Sequence, residues 1–243
     1  MIKYISLKLL NFFDYYYQLK LFKFLKKRGY SEFNCFFDIG AHKGETLELF
    51  LNHFKITDIF SFEPSSINFN RLKKNSIKIK KKFKHTNISI ENYALGNEKK
   101  EINMKQVSES SSSTINDINT NSNYFKKKSR FLFNFNKELF YKDIIINQIT
   151  LSDYISENKI SNIDFLKIDT EGYEFNVLLG LKNDLKRVKL IMFEHHYHDM
   201  LIKNYKFNDI HQLLKKNHFE QVYKYKMAFR KTFEYIYEYQ NDN

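Results

Sequence analysis

The stretch Phe36-Phe37-Asp38-Ile39-Gly40-Ala41-His42-Lys43-Gly44-Glu45-Thr46-Leu47 reads as a buried strand, a tight turn and the start of a helix. Its apolar run ends in an acid, two glycines follow four residues apart, and an amphipathic pattern begins at Glu45. Gly40 permits a tight turn and close approach of a ligand, and Gly44 lets the helix start pack near the strand. The spacing is not the G-x-G-x-x-G of nicotinamide-binding turns, which disfavours a nicotinamide oxidoreductase. With Asp38 guarding the turn, a ligand carrying an ammonium group suits it better than a bare phosphate.

The next strand, Phe60-Ser61-Phe62-Glu63-Pro64, ends in a carboxylate 25 residues after Asp38. An acid at the end of a second strand can accept from both hydroxyls of a ribose. Pro64, the single proline of the chain, fixes the backbone behind it. Further apolar runs mark strands at Cys35–Ile39, Ile59–Phe62, Ile88–Leu95, Ile163–Ile168 and Lys189–Glu194. Helical patterns fall at Glu45–His53, Ile67–Asn75, Leu151–Asn158, Glu174–Leu181 and Asn208–Lys216. Strands separated by helices of this size make βαβ units and a parallel sheet. Phe219–Lys226 and Thr232–Tyr239 are two strand-like runs joined by a few residues, so an antiparallel hairpin should end the sheet. The fold class is therefore α/β.

Two acid-bearing strand ends follow. Ile163-Asp164-Phe165-Leu166-Lys167-Ile168-Asp169-Thr170-Glu171-Gly172-Tyr173-Glu174 delivers Asp169 to the carboxyl edge, where open α/β sheets bind ligands. Glu174 reads best as stabilising a helix start. Ile191-Met192-Phe193-Glu194-His195-His196-Tyr197-His198 places three histidines beside Glu194 at the same edge, a pattern that suits a base or a metal corner.

Around this frame, residues 1–30 place Ile2, Ile5, Leu9, Phe12, Tyr16, Leu19 and Phe22 at helical spacing, an N-terminal amphipathic segment. Its lysines interrupt any run long enough to span a bilayer, and it has no signal-peptide core. It should pack on the following domain, with a membrane-surface role as the alternative. Lys73–Lys84 carries seven lysines and reads as a solvated helix end and loop. Residues 108–145, with a serine run at Ser110–Ser113 and Lys126–Lys128, are too long for an ordinary connection and read as a lid or insertion. The 243 residues carry 40 Lys+Arg against 28 Asp+Glu, a formal charge of +12. Because Lys, Asn, Ile, Phe and Tyr are all abundant, this looks like coding bias, and nucleic acid is not expected as the partner. One cysteine, Cys35, excludes a disulfide framework and a multi-cysteine zinc site.

These motifs bring a family into view. From about Asn34 to His195 the chain resembles the FkbM-type S-adenosylmethionine-dependent methyltransferases. The resemblance rests on Phe37 to Gly44, on Phe62-Glu63-Pro64, and on Tyr93-Ala94-Leu95-Gly96. It continues through Ser111-Ser112, Ile149-Thr150-Leu151-Ser152-Asp153-Tyr154 and Leu166 to Glu174. Many members have Asn where His42 stands, and many have proline where this chain has Ser66. The resemblance implies a seven-stranded Rossmann-like methyltransferase fold over residues 31–243, mostly parallel with a reversed final strand. It implies S-adenosyl-L-methionine as cofactor. Asp38, Gly40 and Gly44 would contact its methionine moiety, Glu63 would hold its ribose and Ala94 would lie near its adenine, with Ala41, His42 and Pro64 as further cofactor-binding residues. Asp169 would lie beside the transferred methyl.

The activity expected is O-methylation of a hydroxyl on a sugar, glycan or other small metabolite. Asp169, Glu194 and His195 are the candidate catalytic groups, facing the methyl together, with direct base catalysis preferred and no metal ligands assigned. The rival readings are an RNA or protein methyltransferase using the basic surface, and a non-catalytic cofactor-binding scaffold at a membrane. A cytoplasmic location is expected, with peripheral membrane contact through residues 1–28 as the variant.

Overall fold

The computed structural model describes residues 2–107, 113–133 and 140–240. The chain opens with α1 (Ile2–Lys27), β1 (Glu32–Ile39), α2 (Glu45–Leu51), β2 (Lys55–Phe62) and α3 (Ser66–Lys82). It continues through β3 (Asn87–Glu91), β4 (Ala94–Gly96), β5 (Lys100–Val107), β6 (Asp117–Ile118) and α4 (Asn123–Phe133). Next come β7 (Tyr141–Thr150), α5 (Leu151–Glu157), β8 (Ile163–Ile168), α6 (Glu174–Leu179) and β9 (Val188–His196). It ends with β10 (Leu201–Ile202), α7 (Phe207–Lys216), β11 (Phe219–Lys226) and β12 (Thr232–Tyr239).

Seven strands form the main sheet in the order β11-β12-β9-β8-β1-β2-β3. The pairs from β9 through β8, β1 and β2 to β3 are parallel, while β12 pairs antiparallel with both β9 and β11. The reversed strand is thus internal, and the expected C-terminal hairpin supplies it. The order changes direction beside β1, and the carboxyl edge next to that point is where doubly wound sheets take ligands.

Alternation along each strand sends side chains to two different cores. Phe37, Ile39, Leu166, Ile168, Ile191 and Phe193 join the core that also contains Val177, Leu178, Ile210 and Leu214 of α6 and α7. Phe36, Phe165, Leu190, Met192 and Ile236 join the opposite one, with Leu47, Phe50 and the end of α1. Leu21, Phe22 and Leu25 of α1 are buried there, and the Phe22 ring meets Phe50 at 5.1 Å. Arg28 and Tyr30 both donate to the Glu238 carboxylate on β12. The C-terminal part of α1 therefore packs on the domain. Among the described residues, no helix is long and apolar enough to cross a membrane.

Three readings of the sequence change. The α3 helix runs on through the lysine-rich segment, because Leu72 and Ile79, seven residues apart, reach the core while the lysines take the solvent side. Lys80, Lys81 and Lys82 in its last turn also suit the negative end of the helix dipole. The apolar run Ile88–Leu95 is not one strand. It breaks after Glu91, and β4 leaves the main sheet to pair with β7 in a second sheet of order β4-β7-β5. Finally, residues 108–145 hold β6, α4 and the start of β7; residues 108–112 and 134–139, including Ser111 and Ser112, lie outside the described residues. This segment is fastened to the carboxyl edge: β6 pairs with β10, and Tyr124 of α4 stacks on His198 at 4.1 Å.

Candidate active site

The turn after β1 departs from ordinary backbone at three of five positions, with φ of 80° at Gly40, 50° at His42 and 89° at Gly44. The amides of Gly40 and Ala41 both donate to the Phe62 carbonyl, at 3.0 and 2.9 Å, which lashes the turn to the end of β2. A Cβ on Gly40 would sit 1.9 Å from the Asp169 carbonyl oxygen. The close approach that requires glycine is thus made by the backbone leaving β8, where the sequence had suggested a ligand. Gly44 begins α2 and faces Leu72 of α3, so it serves helix packing rather than contact with the strand.

Glu63 is almost fully buried. Its Oε2 accepts from the His42 amide and its Oε1 from the Ser65 amide, both at 2.9 Å. The Asn68 side chain also hydrogen-bonds to this carboxylate, which has about four acceptor positions, so room for a further donor remains. Burial pushes its pKa up to about 7 against the pull of the two amides and His42. Asn92 donates to the carbonyls of Glu63 and Pro64 at 2.8 and 3.1 Å, fixing this corner from β3. Ala94 is buried in a small apolar cluster with Met104 and Ile146, so its methyl belongs to the second sheet.

Asp38 has no exposed surface. Lys167, its register partner on β8, donates to Oδ1 at 3.0 Å, while the buried Oδ2 has no hydrogen-bond partner among the described residues. Lys167 also donates to Asp169 Oδ2 at 3.4 Å. Burial opposes the ammonium, but Asp38 and Asp169 outweigh it and hold Lys167 above the ordinary lysine range. Burial likewise pushes the Asp38 carboxyl up, and Lys167 opposes that shift. A second cationic donor on Oδ2 would complete the charge balance.

Beyond Ile168 and Phe193, the last registered pair of β8 and β9, Asp169 and Glu194 come side by side. Glu234 of β12 lies opposite Glu194. Burial, and after it the charges of Asp169, Glu234 and Glu171, push Glu194 well above the ordinary carboxylate range, which favours its protonated form. The Asp169–Glu194 pair thus offers one acceptor, held by Lys167, and one neutral donor.

His195 does not join them. Consecutive strand residues face opposite sides, and its ring packs among Tyr197, Tyr205 and Phe207, with Lys203 Nζ 3.4 Å from Nε2. Burial, reinforced by Lys203, lowers its pKa to about 3, so the ring is neutral. His196 instead shares the side of Glu194 and lies 3.2 Å from Glu171 through Nε2. Glu174 is wholly buried and accepts from the Gly172 amide at 2.8 Å and Tyr205 at 2.5 Å, so it holds the turn together. Among the described residues, no three His, Cys, Asp or Glu side chains converge as a metal site.

Two residues that position this edge, Lys167 and Asn92, carried no role in the sequence reading. For Lys167 the signal was present: a lysine between Leu166 and Ile168 in a buried strand must find an anion.

Comparison with known proteins agrees with this geometry. The family model of the methyltransferase FkbM domain matches residues 38–225. The fold is similar to the crystal structure of methyltransferase FkbM from Methylobacillus flagellatus KT, with a TM-score of 0.56 and 16% identity. That match covers 85% of this chain but 43% of the other, so the chain spans less than half the length of that protein. A protein of the NADB-Rossmann superfamily from Streptococcus agalactiae matches at TM-score 0.48 and 14% identity, over 91% of this chain and 69% of that one. M. capricolum TrmK, solved with S-adenosyl-homocysteine, matches at 0.42 and 13%, over 86% and 63%. No curated protein sequence matches the chain.

Proposed function

The chain belongs to the FkbM methyltransferase family, and from that membership we propose that it transfers a methyl group from S-adenosyl-L-methionine to a hydroxyl, on a sugar, a glycan or another small metabolite. The observation that carries the reading is the unpartnered, fully buried Oδ2 of Asp38 beside the strained turn, which fits the ammonium of a methionine moiety. The remaining capacity of Glu63 fits a ribose hydroxyl. His42, Ala41 and Pro64 frame that corner, and Ala94 stands two residues past it, where its backbone rather than its methyl would face the adenine.

The cofactor would supply an activated sulfonium methyl, so the protein's work is alignment and proton handling. Asp169 is the base. One of its Oδ atoms takes the acceptor's hydroxyl proton as the new bond forms, while the hydrogen bond from Lys167 holds the carboxylate in place. Glu194, protonated, donates a hydrogen bond that orients the acceptor oxygen. His195 has no part in this step, because it faces the aromatic side of β9.

The acids Asp169 and Glu234 at this edge favour a neutral, hydroxyl-rich acceptor over a polyanion such as RNA, which like charge would repel. Calorimetric titration with S-adenosylhomocysteine tests the cofactor. Transfer of labelled methyl to a panel of free sugars, nucleotide sugars and RNA tests the acceptor. Micromolar cofactor affinity and labelling confined to hydroxyl acceptors are expected; absent cofactor binding overturns the reading, and labelling of RNA alone overturns the acceptor.

A further inference from the structure

A second surface lies on the same rung as the catalytic carboxylates. Tyr225 of β11 is opposite Glu234, which is opposite Glu194, which adjoins Asp169. Three strand spacings separate Tyr225 from Asp169, about 14 Å. The α1 helix crosses this end of the sheet. Tyr17 meets Tyr225 with ring centroids 4.4 Å apart, and Phe13 meets Phe229 at 5.5 Å. Phe229 sits at the tip of the turn between β11 and β12, with φ of 59° and 77% of its surface exposed. On α1, Tyr15 and Tyr16 are 51% and 48% exposed, and Lys20 Nζ lies 4.7 Å over the Tyr16 ring. Helix and turn therefore present one continuous aromatic patch.

Cations stand at that patch: Lys20 Nζ lies over the Tyr16 and Tyr225 rings, and Arg230 and Lys231 follow Phe229, with Asp14 and Glu234 as the neighbouring acids. The turn Met227-Ala228-Phe229-Arg230-Lys231 contains two basic residues and no acid. Exposed aromatic side chains ringed by lysine and arginine match a bilayer interface, where rings settle at headgroup depth and cations meet anionic lipid. A neutral protein partner would not require this charge. RNA can also stack on exposed aromatic side chains beside cations, and binding to poly-uridine distinguishes it.

We propose that Tyr15, Tyr16 and Lys20 of α1, together with the Phe229 turn, dock this protein on an anionic lipid bilayer, with the catalytic edge beside that surface. The proposal goes beyond the reading of the active site and does not depend on the acceptor.

Sedimentation of the full chain with vesicles tests it, comparing pure phosphatidylcholine with phosphatidylcholine containing about 30% phosphatidylglycerol as the anionic lipid. Binding should require the anionic lipid and weaken with salt. Phe229→Ser should lower the partition coefficient roughly tenfold, and Lys20→Ala about fivefold. Both variants should keep wild-type circular dichroism melting and S-adenosylhomocysteine affinity within about twofold, since neither residue touches the cofactor edge. No sedimentation, or equal sedimentation on neutral vesicles, overturns the proposal while intact cofactor affinity leaves the methyltransferase reading standing. Self-association that Phe229→Ser abolishes, or binding to poly-uridine, with vesicles inert, overturns it as well.

Discussion

Replacing Lys167 with methionine keeps the length of the side chain and removes the cation that bridges Asp38 and Asp169. Its ammonium lies 3.0 Å from Asp38 and 3.4 Å from Asp169. At an effective dielectric of about 20, each attraction is worth roughly 5 kcal/mol, offset by a desolvation cost of several kcal/mol per ion. The two carboxylates then differ. Asp169 is 31% exposed at its side chain and water can solvate it, whereas Asp38 is at 0% and has no other donor at either oxygen among the described residues. The loss should therefore resemble the breaking of one buried pair, about 3–5 kcal/mol. For a domain of this size that lowers Tm by about 6–20 °C.

The sign with pH follows from the stranded Asp38. Its folded pKa rises above its unfolded value, so the native state of the variant binds the extra proton. The variant is then nearest to wild type below the unfolded carboxylate pKa of about 4 and falls behind as pH rises. Thermal melts from pH 4 to 8 measure this, with the double variant Lys167→Met/Asp38→Asn as a control that should recover most of the loss. A deficit below about 1 kcal/mol at pH 7, one that does not change with pH, or strict additivity in the double variant would refute the reasoning.

Other outcomes follow from the same geometry. Glu63→Gln should weaken S-adenosylhomocysteine binding by at least about tenfold, since it removes the charge that accepts the ribose donor. Because Glu63 titrates at about 7, wild-type affinity should fall as pH drops below 7 and level off above 8; a flat profile would exclude Glu63 as the ribose acceptor. Asp169→Asn should lose most turnover with cofactor affinity unchanged within a few-fold, while Glu194→Gln, which mimics a carboxyl that keeps its proton, should stay within about tenfold of wild-type kcat. The reverse pattern would exchange their roles, and loss of turnover on chelation, restored by magnesium, would replace direct base catalysis with a metal. His195→Phe preserves the aromatic packing and should leave kcat nearly unchanged, so a large loss would return His195 to the reacting atoms.

What the sequence determined by itself was local. The parallel strands of the main sheet, the turn at Gly40 and the hairpin at the C-terminus are legible because apolar runs, glycines and alternation are properties of neighbouring residues. The acids at the strand ends were legible for the same reason. Tertiary structure decided what depends on partners distant in the chain. β5 and β7 alternate polar and apolar residues, and β7 comes to lie between β4 and β5 only because the chain returns after the intervening insertion. Lys167 acquires meaning from Asp38, 129 residues away. Glu194 and His195 look equivalent in a list of residues near one edge. The pleat of β9 gives one to the carboxylates and the other to an aromatic box, because adjacent side chains on a strand face opposite cores.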